Sequence, residues 1–428
     1  MPDEERKDGR LRVLLISHYY WPEPFRINQV AEDLIAAGAD VVVLTGHPSY
    51  PGGKVFGGYR AHRLQHERHP KGYSIYRVPV VPRGNGRALR LFLNYMSFVV
   101  TGIVFGAWLL RGQRFDVLFN YTTTPVFQGF VGVWFRLLKR APLVLWIQDI
   151  WPQALQATGF VKSPTILATV GWITRRLYRQ SNLILCQSRA FVTMLRPEAG
   201  RTPLRFFPNP GEHPPAAVAA QAPVLPANKF NVVFGGNLGT LQAMETVVAA
   251  ARLLRDDPDV RITLFGSGAM QDWIAAQIAE YDIANLSLAG RLPPEVMPQV
   301  YSQCQALLLT LVDSPDLAQT VPSKFQSYLA AGVPLLVAVN GEAAELVAEA
   351  GAGVAVAAED AVALADAIRE LKGRPAKQRA AMGRAARRYY EENYRPEQLA
   401  AKLLVLLQGA AACGWRPGDR RVGKGDAQ

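Results

Sequence analysis

Lys324 stands directly after Pro322-Ser323 in TVPSKFQSYLAAGVP. Proline followed by serine is a good helix start, which predicts Ser323 as the N-cap and Lys324 in the first turn. The helix dipole disfavours a cation there. A bound diphosphate would reverse that sign, and the alternative is a lysine that points to solvent. Two glycine turns add to the pattern: Gly235, Gly236 and Gly239 in FGGNLGTLQAMETVV, and Gly266 and Gly268, with Ser267 between them, in ITLFGSGAM. Each follows an apolar run and opens a helical one. Glycine lets the backbone approach a phosphate, and a helix N-terminus supplies amide donors. The chemistry these residues suit is therefore the holding of a pyrophosphate. Asp149, in WIQDIWPQ, is a lone carboxylate among aromatics. It is a catalytic group, a positioner of a second substrate, or a cap of the turn that follows it. Near the start, SHYYWPEPFRINQ lacks G-x-G-x-x-G, so no nicotinamide or flavin turn is expected. Asn28 is expected to start a helix there and, with Arg26, to contact an acceptor or a phosphate. Arg26 would meet an anion at its N-terminus or remain a solvated loop arginine. His18, His47 and His213 are isolated, and no metal site or base is assigned to them.

Apolar β-branched runs alternate with helix-length segments to position these groups. The expected strands of the first half are Leu11–Ser17, Asp40–Gly46, Ser74–Val80, Asp116–Tyr121, Pro142–Gln148 and Asn182–Ser188. Those of the second half are Asn231–Gly235, Arg261–Gly266, Asn285–Gly290, Ala306–Val312, Val333–Asn340 and Gly353–Ala357. Near-continuous apolar strands that alternate with helices predict parallel sheets buried on both faces. The fold class is α/β, with two Rossmann-like, doubly wound domains that bind ligands at a cleft outside the carboxyl ends of their strands. The expected organisation is a charged tail at 1–10, a first domain over 11–208, a Pro/Ala-rich linker at 209–229, a second domain with C-terminal helices over 230–408, and a disordered tail at 409–428.

The chain has 428 residues, 49% of them hydrophobic and 19% charged, which excludes global disorder. Three separated cysteines, Cys186, Cys304 and Cys413, exclude a disulfide scaffold or zinc finger and fit a reducing cytosol. No secretory signal is visible at the start. The net charge is +12, unevenly spread: residues 1–210 hold 27 Lys+Arg and 12 Asp+Glu, whereas residues 211–428 hold 20 and 23. The basic half would face an anionic membrane or a phosphorylated ligand. Nucleic acid is not expected as a partner, because no arm, zinc-finger spacing or aromatic RNA signature accompanies the cations.

Leu91–Leu110 is uncharged over 20 residues and flanked by Arg90 and Arg111. Its length suits a membrane span. Expected strands of one sheet precede and follow it, which argues against crossing. The segment then lies in the interface, dips in and returns, or packs in the core. With the apolar Val126–Leu138, Arg83, Arg87, Arg114, Arg136, Lys139 and Arg140, it suggests a peripheral surface for an anionic leaflet.

SHYYWPEP, WIQDIWPQALQATGFV, PNPGE, GGNLGTLQAMETVV, FGSG, LAGRLP and VPSKFQSYLAAGVP occur in an order and spacing that resemble glycosyltransferase family 4, of the GT-B fold. Within the family, the likeness is to the bacterial enzymes that build colanic acid and O-antigen. The resemblance covers about residues 11–408. It implies transfer of a hexosyl or N-acetylhexosaminyl group from a nucleotide-diphosphate donor to an acceptor hydroxyl, with retention. No cofactor or metal is implied beyond the nucleotide sugar, which is a substrate. It implies that Gly236 and Gly239 approach the diphosphate, with Gln242 and Glu245 following on the same helix. Gly266, Ser267, Gly268, Gly290 and Arg291 would border the base, and Ser323 and Lys324 would meet the phosphates. Asp149 would stand near the reacting sugar or acceptor, across the cleft. A lipid-linked saccharide acceptor at the cytoplasmic face of the membrane follows from the branch and from the basic, apolar first half.

The sequence departs from the family pattern at Gln319 and Ser327, where two glutamates are usual, at Thr240 and Leu241, where lysine often stands, and at Gln148, which replaces a histidine. Glu342 and Glu345 resemble a donor-side pair and would share one helix side, or form a solvated acidic face. Two rival functions remain at this point: a nucleotide-sugar epimerase on the same fold, and a non-catalytic nucleotide-sugar-binding partner of another transferase.

Overall fold

Runs such as RVLLI and DVVVLT cannot satisfy their backbone in an apolar core except by pairing, and they do so as the centre of an eight-stranded sheet. The structure, a computed structural model, describes residues 9–84, 87–157, 161, 163–213 and 222–414. The chain divides into two units, Met1–Pro208 with Pro396–Gln428, and Asn209–Arg395.

In the first unit the strands are β1 (Arg12–Ile16), β2 (Asp40–Thr45), β3 (Gln65–Arg68), β4 (Ser74–Arg77), β5 (Val117–Thr122), β6 (Leu143–Ile147), β7 (Leu183–Cys186) and β8 (Leu204–Phe206). Their spatial order is β3-β4-β2-β1-β5-β6-β7-β8. All pairs are parallel except β3 with β4. β3 is a short polar edge strand and β8 an edge strand of three residues, too short to show a pattern, and the sequence reading lacks both. Alternate residues feed two core layers. Leu14, Leu44, Leu118 and Leu145 pack with Phe98, Phe135 and Leu177 of the helices Ala88–Thr101, Gly129–Lys139 and Pro164–Arg179. Val13, Val43, Phe119 and Trp146 pack on the other face with Ile27 and Leu34 of the helix Arg26–Ala36 and with Leu399, Leu403 and Leu407.

The last three residues belong to the helix Pro396–Ala412, so the segment assigned by sequence to the second domain is part of the first unit. Its apolar stripe completes a sheet face that the Arg26–Ala36 helix leaves partly uncovered. Pro396 marks the break at which the chain returns. The helix runs on through 409–412, which the sequence reading placed in a disordered tail; residues 415–428 and 1–8 lie outside the described residues.

The second unit repeats the scheme with β9 (Phe230–Gly235), β10 (Val260–Phe265), β11 (Leu286–Gly290), β12 (Ala306–Thr310), β13 (Leu335–Ala338) and β14 (Gly353–Val356). Their order is β11-β10-β9-β12-β13-β14, parallel throughout. The order reverses direction at β9, so the loops after β9 and β12 diverge there. That is the place where such sheets open a crevice at their carboxyl ends.

Leu403 is fully buried against the first sheet. Leu403→Ala should cost roughly 2–5 kcal/mol by the loss of buried methyl groups and the cavity left behind. Urea denaturation followed by tryptophan fluorescence reads this, and an unchanged midpoint would remove the C-terminal helix from that core.

Candidate functional site

The carboxyl ends of β9, β10 and β11 lock together through glycine. Gly236 and Gly266 adopt φ of 140° and 149°, a backbone region that favours glycine. A Cβ on Gly266 would lie 1.7 Å from the Gly236 carbonyl oxygen, and one on Gly268 would lie 2.4 Å from the Leu238 carbonyl oxygen. The turns are then cross-bonded: Gly236 N–H donates to Phe265 O, Leu238 N–H to Ser267 O, Met270 N–H to Leu238 O, and Gly266 N–H to Gly290 O. The glycines of sequence are thus brought to one place, and the need is close approach of two backbones. Gly236 and Ser267 remain exposed at the surface of this knot, as do Gly290 and Arg291 beside it.

Lys324 opens the helix Lys324–Ala331 as expected. Its ammonium group is buried, finds no hydrogen-bond acceptor, and sits 3.8 Å from the Phe234 ring centroid. A Cβ on Gly236 would lie 3.2 Å from Nζ, so the charge hangs directly over the glycine turn. Burial lowers its pKa to about 7. The aromatic face offers some stabilisation of the cation, and the three N–H donors of the ammonium have no oxygen acceptor within the fold.

The other donor-side residues lie in different surroundings. Ser323 is exposed and already helical, at φ −59° and ψ −24°, and its side chain makes no cap bond. Gln242 lies on a separate 3-10 turn, Thr240–Gln242, and the α-helix starts only at Met244. Its Oε1 accepts the Gly239 N–H at 3.2 Å, so it braces the turn. Glu245 is exposed in the first turn of the helix Met244–Leu253. Glu342 and Glu345 do not share an environment: the first is buried at the start of the helix Glu342–Ala350 and the second is exposed.

In the first unit, Asp149 follows β6 and reaches to the loop after β5. Its Oδ2 accepts from Thr124 N–H at 2.9 Å and from Thr124 Oγ1 at 2.8 Å. Burial raises its pKa, and the two Thr124 bonds oppose the rise. Asp149 thus ties two neighbouring carboxyl-end loops and does not cap its own turn. Arg26 and Asp149 both act electrostatically on the buried Tyr121 hydroxyl, in opposite directions, which brings all three to one end of the sheet.

Asn28 does not start the helix, which begins at Arg26. Its Oδ1 accepts from Trp21 N–H, and its Nδ2 donates to Glu23 O, so the side chain is committed to the loop. The organiser that sequence reasoning missed is Glu23, flanked by two prolines. Its buried carboxylate accepts the N–H groups of Tyr20, Ser49 and Tyr50. Arg77, also fully buried, donates to Trp21 O, Gly46 O and the Glu67 carboxylate.

Lys324 has a lowered pKa, so the unfolded chain binds more protons between about 7 and the unperturbed lysine value near 10.4. The burial penalty is complete below pH 7 and fades as pH rises through that window. Lys324→Met should raise the ligand-free melting temperature at pH 6, with roughly 2–4 °C expected per kcal/mol relieved. The gain should shrink toward pH 10. Pyrophosphate or a nucleoside diphosphate should stabilise the wild type and not the variant, with affinity falling above pH 7. Differential scanning calorimetry across pH tests both, and a variant still stabilised by the diphosphate would remove Lys324 from the site.

Two family profiles divide the chain between them: "Glycosyl transferase 4-like domain" matches residues 25–210, and "Glycosyl transferases group 1" matches residues 219–389. A curated chain described as the colanic acid biosynthesis glycosyl transferase WcaI of Escherichia coli strain K12 is 25% identical over 342 residues, 75% of this chain and 82% of its own length. Among solved structures, sucrose-phosphate synthase from Thermosynechococcus elongatus superposes with a TM-score of 0.73 at 19% identity, over 95% of this chain and all of its own. Anabaena HepE, solved in complex with UDP and glucose, gives 0.65 at 14% identity, over 93% of this chain and all of its own. The expected fold is therefore found in both units, the matched profiles cover each of them, and the chain belongs to the family 4-like glycosyltransferases of the GT-B fold.

Proposed function

We propose that this protein transfers a sugar, with retention, from a nucleotide-diphosphate donor to a lipid-linked saccharide during bacterial surface-polysaccharide assembly, as a peripheral protein of the cytoplasmic membrane face. The observation that carries the reading is Lys324, a buried ammonium without an oxygen partner above the exposed Gly236 turn. A departing nucleoside diphosphate gains negative charge as the glycosidic bond breaks. A fixed cation in a desolvated site stabilises that charge more than it stabilises the intact donor, and this difference lowers the barrier. The UDP in the HepE structure supports a nucleotide of this kind, and the relation to WcaI supports a surface-polysaccharide acceptor. The donor belongs to the second unit in this reading. Asp149, Arg26 and Tyr121 belong to the acceptor side, with Asp149 as the group nearest the chemistry.

The lipid-linked acceptor draws its support from the Ala88–Leu109 helix. It has 22 residues and a mean hydropathy of 1.6, yet only 22% of its most apolar window is buried. Phe98 joins the core layer, and most of the apolar window stays outside it. An acceptor in free solution would give no reason for such a surface.

Thermal-shift screening against UDP- and GDP-sugars identifies the donor, since a ligand that binds only the native state raises the melting temperature. Radiolabelled donor with a lipid-extracted acceptor fraction then reads transfer. Asp149→Asn should lower kcat by about 10- to 1000-fold, in the range seen when one positioned group is removed, with the donor-induced thermal shift retained. Sugar altered but still attached to nucleotide when no acceptor is present would overturn transfer in favour of epimerisation. Binding without turnover on any lipid-linked acceptor would favour a non-catalytic partner.

A further inference from the structure

Between Arg68 and Arg196 the sequence holds seventeen lysines and arginines and two carboxylates, Asp116 and Asp149. Both carboxylates are engaged within the fold: Asp116 accepts from Arg12 N–H, and Asp149 from Thr124. The helices Ala88–Leu109, Gly129–Lys139 and Pro164–Arg179 therefore contain no acidic residue at all. All three lie on the same face of the first sheet, through Phe98, Phe135 and Leu177 in one core layer.

Glycines hold the three helices close. A Cβ on Gly102 would lie 3.1 Å from the Val131 side chain, and one on Gly129 would lie 2.8 Å from the Leu177 side chain. Their outer surfaces are apolar and aromatic. Phe92 is 54% exposed, Trp108 55%, Trp134 40%, Leu137 53%, Ile166 51% and Trp172 61%. The long helix keeps its exposed residues in line by a π turn at Gly102–Gly106. At about 100° per residue, the path from Leu89 to Trp108 in an unbroken α-helix would drift roughly 100° off line. One π turn accommodates about one extra residue and removes that drift. Leu89, Val100, Val104 and Trp108 all remain exposed.

We infer that these three helices form one continuous membrane footprint, with Trp108, Trp134 and Trp172 as its interfacial anchors on an anionic leaflet. The inference rests on the membrane part of the proposed function and adds the Pro164–Arg179 helix, which the apolar runs of the sequence do not reveal. The Ala88–Leu109 helix connects β4 to β5 of one sheet, so it lies in the plane of the interface and does not cross. Charge selects the occupant. The face carries no carboxylates, and Arg90, Arg111, Arg176 and Arg179 are exposed at or near its helix ends. The Arg111 guanidinium sits 4.8 Å from the Trp108 ring centroid, which couples a cation to an apolar anchor. Apolar insertion with cationic attraction fits anionic lipid.

The test is co-sedimentation of the full chain with vesicles of equal parts phosphatidylglycerol and phosphatidylcholine, and with phosphatidylcholine alone. The wild type should prefer the anionic vesicles, and high salt should weaken it. Trp172→Ser, Trp134→Ser and Trp108→Ser should each weaken partitioning by about five- to tenfold, the loss expected for a partly inserted indole. Their melting temperatures and thermal response to UDP or GDP should match the wild type. Normal vesicle binding by Trp172→Ser and Trp134→Ser would overturn the three-helix footprint while leaving the long helix as a membrane contact. No binding by the wild type would overturn both footprint and membrane reading. Equal binding to uncharged vesicles, or a dimer broken by the same substitutions, would also overturn the footprint. Loss of nucleotide response in the wild type would sink the donor reading without touching these outcomes.

Discussion

A lysine ammonium held out of water without an oxygen acceptor is the constraint around which the second unit is arranged. Leaving a charge in that state is costly, and burial expresses the cost as a lowered pKa. The Phe234 face and the start of a helix do not compensate for it, since the helix dipole adds to the penalty. An anion placed against Gly236 removes desolvation cost, dipole repulsion and unsatisfied donors together. The glycine knot is what leaves room for that anion. With side chains at Gly266 and Gly268 the two turns would clash with each other, and one at Gly236 would crowd the Lys324 ammonium group. The packing that excludes side chains from the turns is thus the same packing that exposes their backbone.

The first unit handles its buried charges in the opposite way. Glu23 is surrounded by three backbone N–H donors, Arg77 by two carbonyls and a carboxylate, and Asp149 by both donors of Thr124. These groups are satisfied by their own chain, and what they gain is fixed loop geometry at the carboxyl ends of β1, β2, β5 and β6. Breaking one partner of such an arrangement leaves the other buried and unpaired, which is why they hold loops firmly. The contrast gives a criterion for telling a positioning charge from a binding one: Glu23 and Arg77 have their oxygens and donors spoken for, and Lys324 does not.

The elements that carry this contrast were legible to different depths. Twelve strands stand where apolar runs place them. Ten are central and largely buried on both faces, which writes their environment into nearly every residue, and the edge strands β11 and β14 keep enough apolar residues to be read although they are partly exposed. β3 and β8 are half-exposed at the sheet's edges and have no such pattern to read. Lys324 was legible because a cation in a first turn violates a local rule. Asn28 does not open its helix and Gln242 stands on a 3-10 turn before the α-helix, because amide side chains also bond loop backbone, here at Trp21 and Gly239, and such local bonds leave no pattern in the sequence. The C-terminal helix was misassigned for a different reason. Its amphipathic stripe specifies that it must be buried, and nothing local specifies which of two similar sheets it covers.

Under the proposed function, the charge asymmetry of the chain follows from two uses of cations. Lys324 acts over a few ångströms in a desolvated place, where one charge suffices and salt has little effect. A leaflet is a diffuse target whose field reaches about a Debye length, roughly 8 Å at physiological salt, so many modest cations are needed and carboxylates must be kept away from them. The stretch from Arg68 to Arg196 meets that second demand, with its two acids drawn into hydrogen bonds inside the fold. In that reading the excess of positive charge in the first half belongs to a surface, whereas the second half relies on one buried lysine and needs no such excess.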